Sequence, residues 1–149
     1  MSSSRTLESD TTGARLATLL AEAGQERVER RVVCDDVGAI EAAVRELLDT
    51  ETVDVVVVDG GTGVSPSDVT PEAVAPLLER ELEGFGEAFR ALSLAAVGPA
   101  AMLSRALGGV VGQKAVFALP GSPAAAELGL RRLILPVAPH LLGQLRRAR

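Results

Sequence analysis

The amino-acid sequence predicts an α/β fold: a three-layer sandwich with a mostly parallel sheet. Three observations carry this. Apolar runs of strand length alternate with segments of helical periodicity, the order that builds helix-covered parallel sheets. Residues 53–58 form a valine-rich run of the kind found in strands covered on both faces. Two glycine-rich turns, Gly60-Gly61-Thr62-Gly63 and Pro120-Gly121-Ser122-Pro123, each follow such a run. Ligands of open α/β sheets bind beyond the carboxyl ends of strands, which is where both turns fall.

The elements follow in order. Asp10-Thr11-Thr12-Gly13 opens a helix whose inner face is Leu16, Leu19, Leu20 and Ala23, with Gly24 as its C-terminal stop. Residues 28–34 read as a strand. Asp35 or Asp36 caps the next helix, which carries Ile40, Val44, Leu47 and Leu48 inward. After the strand at 53–58 and the first glycine turn, Thr70-Pro71-Glu72 starts a helix with proline at its first position and Val74, Leu77 and Leu78 facing in. Glu83-Gly84-Phe85-Gly86-Glu87 interrupts that helix. Residues 98–107 read as a further helix, Gly112-Gln113 as a turn, and 115–119 as a strand. Helices then continue to the carboxyl end.

The chain has 149 residues, 47% of them hydrophobic, which suits a single globular domain over 1–149 with a flexible lead at 1–10. No apolar run approaches the ~20 residues of a membrane span, and the polar start Met1-Ser2-Ser3-Ser4-Arg5 lacks a signal region, so a cytoplasmic location is expected. The net charge of −5, with no Trp or Tyr, argues against nucleic-acid binding. The one cysteine, Cys34, is expected in the core. The one histidine, His140, is expected at a helix start or on the surface. His/Cys metal sites are excluded.

The chemistry is concentrated between Gly60 and Glu72. Glycines let backbone N–H groups approach a phosphate, and a nearby carboxylate such as Asp68 can hold magnesium. The turn is neither a P-loop nor a Gly-x-Gly-x-x-Gly motif. Read from the residues alone, each feature also has a structural explanation: Asp35 or Asp36 as a cap, Asp68 as a turn residue, 120–123 as a strand-to-helix connection. A generic nucleotide-binding α/β domain also fits these features.

Four segments in order resemble the molybdopterin adenylyltransferase type of molybdenum-cofactor biosynthesis proteins. They are Gly60-Gly61-Thr62-Gly63 through Asp68-Val69-Thr70-Pro71-Glu72-Ala73; Glu83-Gly84-Phe85-Gly86-Glu87-Ala88-Phe89-Arg90; Ala101-Met102-Leu103-Ser104-Arg105-Ala106; and Leu119-Pro120-Gly121-Ser122-Pro123. The resemblance implies Mg2+- and ATP-dependent adenylylation of molybdopterin, releasing pyrophosphate. The alternative is a non-catalytic molybdopterin carrier or inert paralogue. It implies that Asp35 and Asp68 are the catalytic carboxylates and magnesium ligands, and that Gly60, Gly61, Thr62 and Gly63 cradle a phosphate. Pro120, Gly121 and Ser122 would line the pterin or nucleotide pocket, with Ser104 and Arg105 nearby. It further implies a homotrimer or homohexamer, packed in part through Phe85 and Phe89, and a downstream metal-insertion partner. The chain departs from the family pattern at Cys34, Asp59 and Ser67, which stand where proline, threonine and arginine are usual. The family's opening strand, ahead of Ser2-Ser3-Ser4-Arg5, is absent. The expectation is a start codon placed too late or a degenerate copy, with two strands left short of a neighbour.

Overall fold

In the computed structural model, residues 6–147 are described. A four-stranded sheet is formed by β1 (Val55–Asp59), β2 (Arg80–Glu81), β3 (Leu107–Val111) and β4 (Lys114–Leu119), in the order β1-β4-β3-β2. Helices α1 (Thr11–Glu22), α2 (Val37–Asp49), α3 (Thr70–Val74), α4 (Glu83–Val97), α5 (Pro123–Gly129) and α6 (Leu135–Leu145) cover both faces. The three-layer α/β architecture is therefore as the sequence predicts. The sheet itself is mixed: β1 and β4 are parallel, whereas β3 pairs antiparallel with β4 and β2 antiparallel with β3. The antiparallel β3–β4 hairpin turns at Gly112, whose φ is +57°.

Strand β4 organises the core. Its side chains alternate between the two faces, and Ala115 through Leu119 are fully buried. Ala115, Phe117 and Leu119 pack against Leu16, Leu19, Phe85, Phe89, Leu130 and Ile134. Val116 and Ala118 pack against Ile40, Val44, Ala73, Val74 and Leu77 on the opposite face. Phe85 and Phe117 lie 4.9 Å apart between ring centroids, an aromatic contact within the favourable range.

Several expectations are corrected. Glu83–Val97 is one continuous helix and not an interruption, and Phe85 and Phe89 are core residues instead of oligomer contacts. Residues 98–103 form a 3-10 helix, and strand β3 then takes in Gly108 and Gly109. Residues 28–34 have no ladder partner. Cys34 at their end is exposed instead of buried. Of the lead expected to be flexible, Thr6–Asp10 forms a hydrogen-bonded turn, and Asp10 caps α1 by accepting from the Gly13 N–H at 2.9 Å. Residues 1–5 lie outside the described residues.

Residues 28–33 and β1 both line a groove of about 680 Å³, together with Leu16, Ile40, Val44 and Ile134. Among the described residues β1 pairs only with β4, so the segment at 28–34 is extended but outside the sheet.

At the opposite end of the sheet from the glycine turns, the single lysine has a defined task. Lys114 Nζ donates to Leu48 O and Thr50 O, both at 2.6 Å, where the last carbonyls of α2 lack helical partners. Lys114→Met is expected to lower unfolding free energy by about 2 kcal/mol in urea titration. Alternate amides of Val55–Asp59, directed into the groove, are expected to exchange with deuterium about tenfold or more faster than those of Lys114–Leu119, and equal protection would show that β1 has a second partner.

Candidate functional site

The parallel register sets Asp59 opposite Leu119, so the chain leaves β1 and β4 at the same level. The two glycine turns that follow are therefore adjacent. Gly60 N donates to Leu119 O at 2.9 Å. A Cβ on Gly121 would lie 3.1 Å from Gly60 Cα, so a side chain there would crowd the facing backbone. Gly60 and Gly61 have φ of +96° and +65°, in the left-handed region that glycine adopts without strain.

Two buried threonines fix these turns. Thr70 Oγ1 donates to Gly60 O at 2.8 Å, and Thr70 N donates to Gly61 O at 3.0 Å. Thr12 Oγ1, from the first turn of α1, donates to Gly121 O at 2.9 Å. The backbone is held from behind by its carbonyls. Sequence reasoning did not single out Thr12 or Thr70 for the site. Their only signal was their position at helix starts.

Asp68 lies at the far end of the same loop. Its Oδ2 accepts from Ser65 Oγ at 2.5 Å and from Ser65 N at 2.9 Å. The Ser65 hydroxyl is the main cause that holds the Asp68 carboxyl below the usual range, with the Ser65 and Gly63 amides and Arg105 contributing in the same sense. Arg105 Nε donates to Gly63 O at 2.7 Å and its Nη2 to Asp68 O at 2.6 Å. Its Nη1 pairs with Glu72.

The other expected residues are distributed around this pair of turns. Asp36, and not Asp35, caps α2 by accepting from Ala39 N. Asp35 immediately precedes that cap, and the carboxyl end of α2 is pinned beside Lys114 at the start of β4. Thr62 is buried, and its carbonyl accepts from Arg105 N at 2.7 Å. The Ser104 hydroxyl is turned to its own segment, accepting from Ala106 N at 3.3 Å. Ser122 is exposed and caps α5 through Ala125 N. His140 is exposed on α6.

Chemically, the arrangement offers constrained backbone N–H groups beside the hard carboxylate of Asp68. Among the described residues, no group of three His, Cys, Asp or Glu could form an all-protein metal cage. This donor set fits magnesium, which keeps several waters and is bound by one or two carboxylates together with substrate phosphates. Asp68 is the residue whose geometry suits that role.

A helix-covered α/β sheet with paired glycine turns at one end defines the class, and residues 2–140 match the family model described as a probable molybdopterin binding domain. The chain belongs to that family. It is 47% identical over 148 residues to molybdenum cofactor biosynthesis protein B of Bacillus cereus, covering 99% of this chain and 88% of that protein. A crystal structure of a molybdenum cofactor biosynthesis protein B superposes with a TM-score of 0.94 at 47% identity, covering 99% of this chain and 92% of the other. The tungsten cofactor synthesizing protein MoaB from Pyrococcus furiosus superposes with a TM-score of 0.80 at 38% identity, covering 93% and 86%. No helix among the described residues is long and apolar enough to cross a membrane.

Because Asp68 is stabilised in its charged form, its contribution to stability is present above the unfolded-state midpoint and is lost as pH falls through the lower folded-state value. An NMR titration of the Asp68 carboxyl is expected to give a midpoint below the ordinary ~3.9, and Ser65→Ala is expected to raise it. An unchanged midpoint would show that the Ser65 contact is not formed in solution.

Proposed function

We propose that this protein acts in molybdenum cofactor biosynthesis, adenylylating molybdopterin with ATP and Mg2+ and releasing pyrophosphate. The observation that carries this reading is the contact between the Gly60 and Gly121 turns, with the Asp68 carboxylate on the same loop, in a chain of the molybdopterin-binding family. In the proposed reaction, a terminal phosphate oxygen of molybdopterin attacks the α-phosphorus of ATP. A new P–O bond forms as the bond to the bridging oxygen breaks, and the electron pair leaves with pyrophosphate.

Both reactants are anions, so bringing them together is the first task of the site. The N–H groups of Gly61 and Thr62, and of Gly121 and Ser122 in the facing turn, would supply positive partial charge without mobile side chains. Rigid placement of the two phosphates converts an encounter into a step within one complex. Magnesium, when bound, neutralises phosphate charge, and Asp68, with Asp35 from the start of α2, would hold it. Molybdenum and tungsten pathways both occur among similar proteins, as the Pyrococcus furiosus relative is named for tungsten.

The oligomer belongs to the same reading. Leu94, Val97, Met102 and Leu103 are exposed at the end of α4 and the 3-10 helix after it, with Met102 76% exposed. That apolar face runs up to the segment carrying Arg105. It is proposed as the contact with further copies in a trimer or hexamer, and a metal-insertion protein as the partner that takes the product. The location proposed with it is the cytoplasm.

With molybdopterin, ATP and Mg2+, purified protein is expected to form adenylyl-molybdopterin and pyrophosphate, and Asp68→Ala to reduce the rate by about 10²-fold or more. Tight molybdopterin binding with no turnover would instead support the carrier reading. Met102→Glu is expected to shift the light-scattering mass to that of a 15.4 kDa monomer, whereas an unchanged mass would place the contact elsewhere.

A further inference from the structure

Arg105 stands apart from the other cations of this chain. Among the ion pairs of the described residues, Arg105 is the cation whose guanidinium also donates to carbonyls of the 60–68 loop. Its backbone N–H donates to Thr62 O. Its guanidinium donates to Gly63 O and Asp68 O and pairs with Glu72 in the first turn of α3. One residue therefore ties the end of the glycine turn, the backbone of the carboxylate residue and the following helix to one rigid plane. Its fork is committed to these partners.

The segment carrying Arg105 is itself anchored. Arg90, in α4, donates through Nη1 to Ser104 O and Ala106 O, the carbonyls on either side of Arg105. A line of contacts thus runs from the buried face of α4, through 104–106, to the loop at 62–68. Gly86 lies in the same place: a Cβ there would sit 2.8 Å from Ala106 O and 2.9 Å from Arg90 Nη2. The tight packing of α4 against this segment is therefore part of the same support.

We propose that Arg105 is a positioning residue that fixes the spacing between the Gly60–Gly63 turn and the Asp68 carboxylate, acting as a brace behind the loop and not as a phosphate-binding cation. The proposal rests on the adenylyltransferase reading for its kinetic consequence, but its structural content stands without it. Two carbonyls 42 and 37 residues distant in sequence are bridged by a planar fork that a lysine ammonium does not reproduce. A displacement of about 1 Å at the reacting groups is enough to cost on the order of 10²-fold in rate.

The test compares Arg105→Gln, Arg105→Lys and Glu72→Gln in the full chain by hydrogen–deuterium exchange and by kinetics. Arg105→Gln and Arg105→Lys are both expected to accelerate amide exchange in 62–68 by about tenfold or more, with Lys114–Leu119 unchanged. Glu72→Gln leaves both carbonyl bonds in place and is expected to have a smaller effect, which keeps the test available if an Arg105 variant does not fold. In the adenylylation assay, both Arg105 variants are expected to lower kcat by about 10²-fold while KM for ATP changes less than about threefold, and to raise the Mg2+ concentration for half-maximal rate. Recovery of wild-type rate by Arg105→Lys would show that charge alone matters and overturn the brace. So would an effect confined to KM for ATP, or unaltered exchange in 62–68. If wild-type protein does not turn over, the adenylyltransferase reading fails, and the exchange experiment alone decides on Arg105.

Discussion

The parallel pairing of β1 with β4 is the constraint on which the rest depends. With Asp59 set opposite Leu119, both strands end together and release their glycine turns into contact. A slip of one residue would exchange the two faces of β4, placing Phe117 and Leu119 where Val116 and Ala118 now fit. Register and core packing are therefore one condition. The same alternation that buries Phe117 against Phe85 also delivers Gly60 to Gly121.

Around that register, the loop is stabilised mainly through its carbonyls. Thr70, Thr12, and the backbone and side chain of Arg105 all donate to carbonyl oxygens of the two turns or of Asp68. This division of roles has a physical logic. Carbonyl oxygens that pointed toward an anion would repel it, and tying them back leaves the N–H groups of Gly61, Thr62 and Gly121 as the polar groups the turns can offer. The cost of ordering the nine residues from Gly60 to Asp68 is offset by bonds to elements that are themselves buried.

Much of this was legible in the sequence. The helix starts at Asp10, Thr70 and Ser122, the valine-rich strand, and both glycine turns follow from local chemistry. The misreadings were tertiary. Glu83-Gly84-Phe85-Gly86-Glu87 has the composition of a turn, yet it is the first part of α4, because Gly86 lets the helix close on Ala106 O and Phe85 reaches the core. Residues 28–34 have strand character but no neighbour to pair with, and a ladder is a property of two segments. Direction in the sheet was also hidden: the turn at Gly112-Gln113 was legible, but its partner strand β3 was not, because its first residue falls within the helix expected over 98–107, of which only a 3-10 segment forms. In the site, Asp68 and the glycines were legible from spacing. Ser65, Thr12 and Glu72 were not, because their contributions arise from contacts that spacing does not encode.

The way the loop holds Asp68 has a consequence for proton chemistry. The glycine turns present amides, which do not titrate, and Ser65 moves the Asp68 carboxyl further from neutrality. Carboxylates and guanidinium groups ordinarily titrate near pH 4 and above about pH 12. His140, on α6, is exposed and bonds to Gln144. The amides of the two turns and the Asp68 carboxylate thus keep their charge across the neutral range. In the proposed reaction the group that ionises there is the substrate's own phosphate, whose second proton leaves near pH ~6. On that reading these groups form a fixed electrostatic mould, and the substrate brings the adjustable charge.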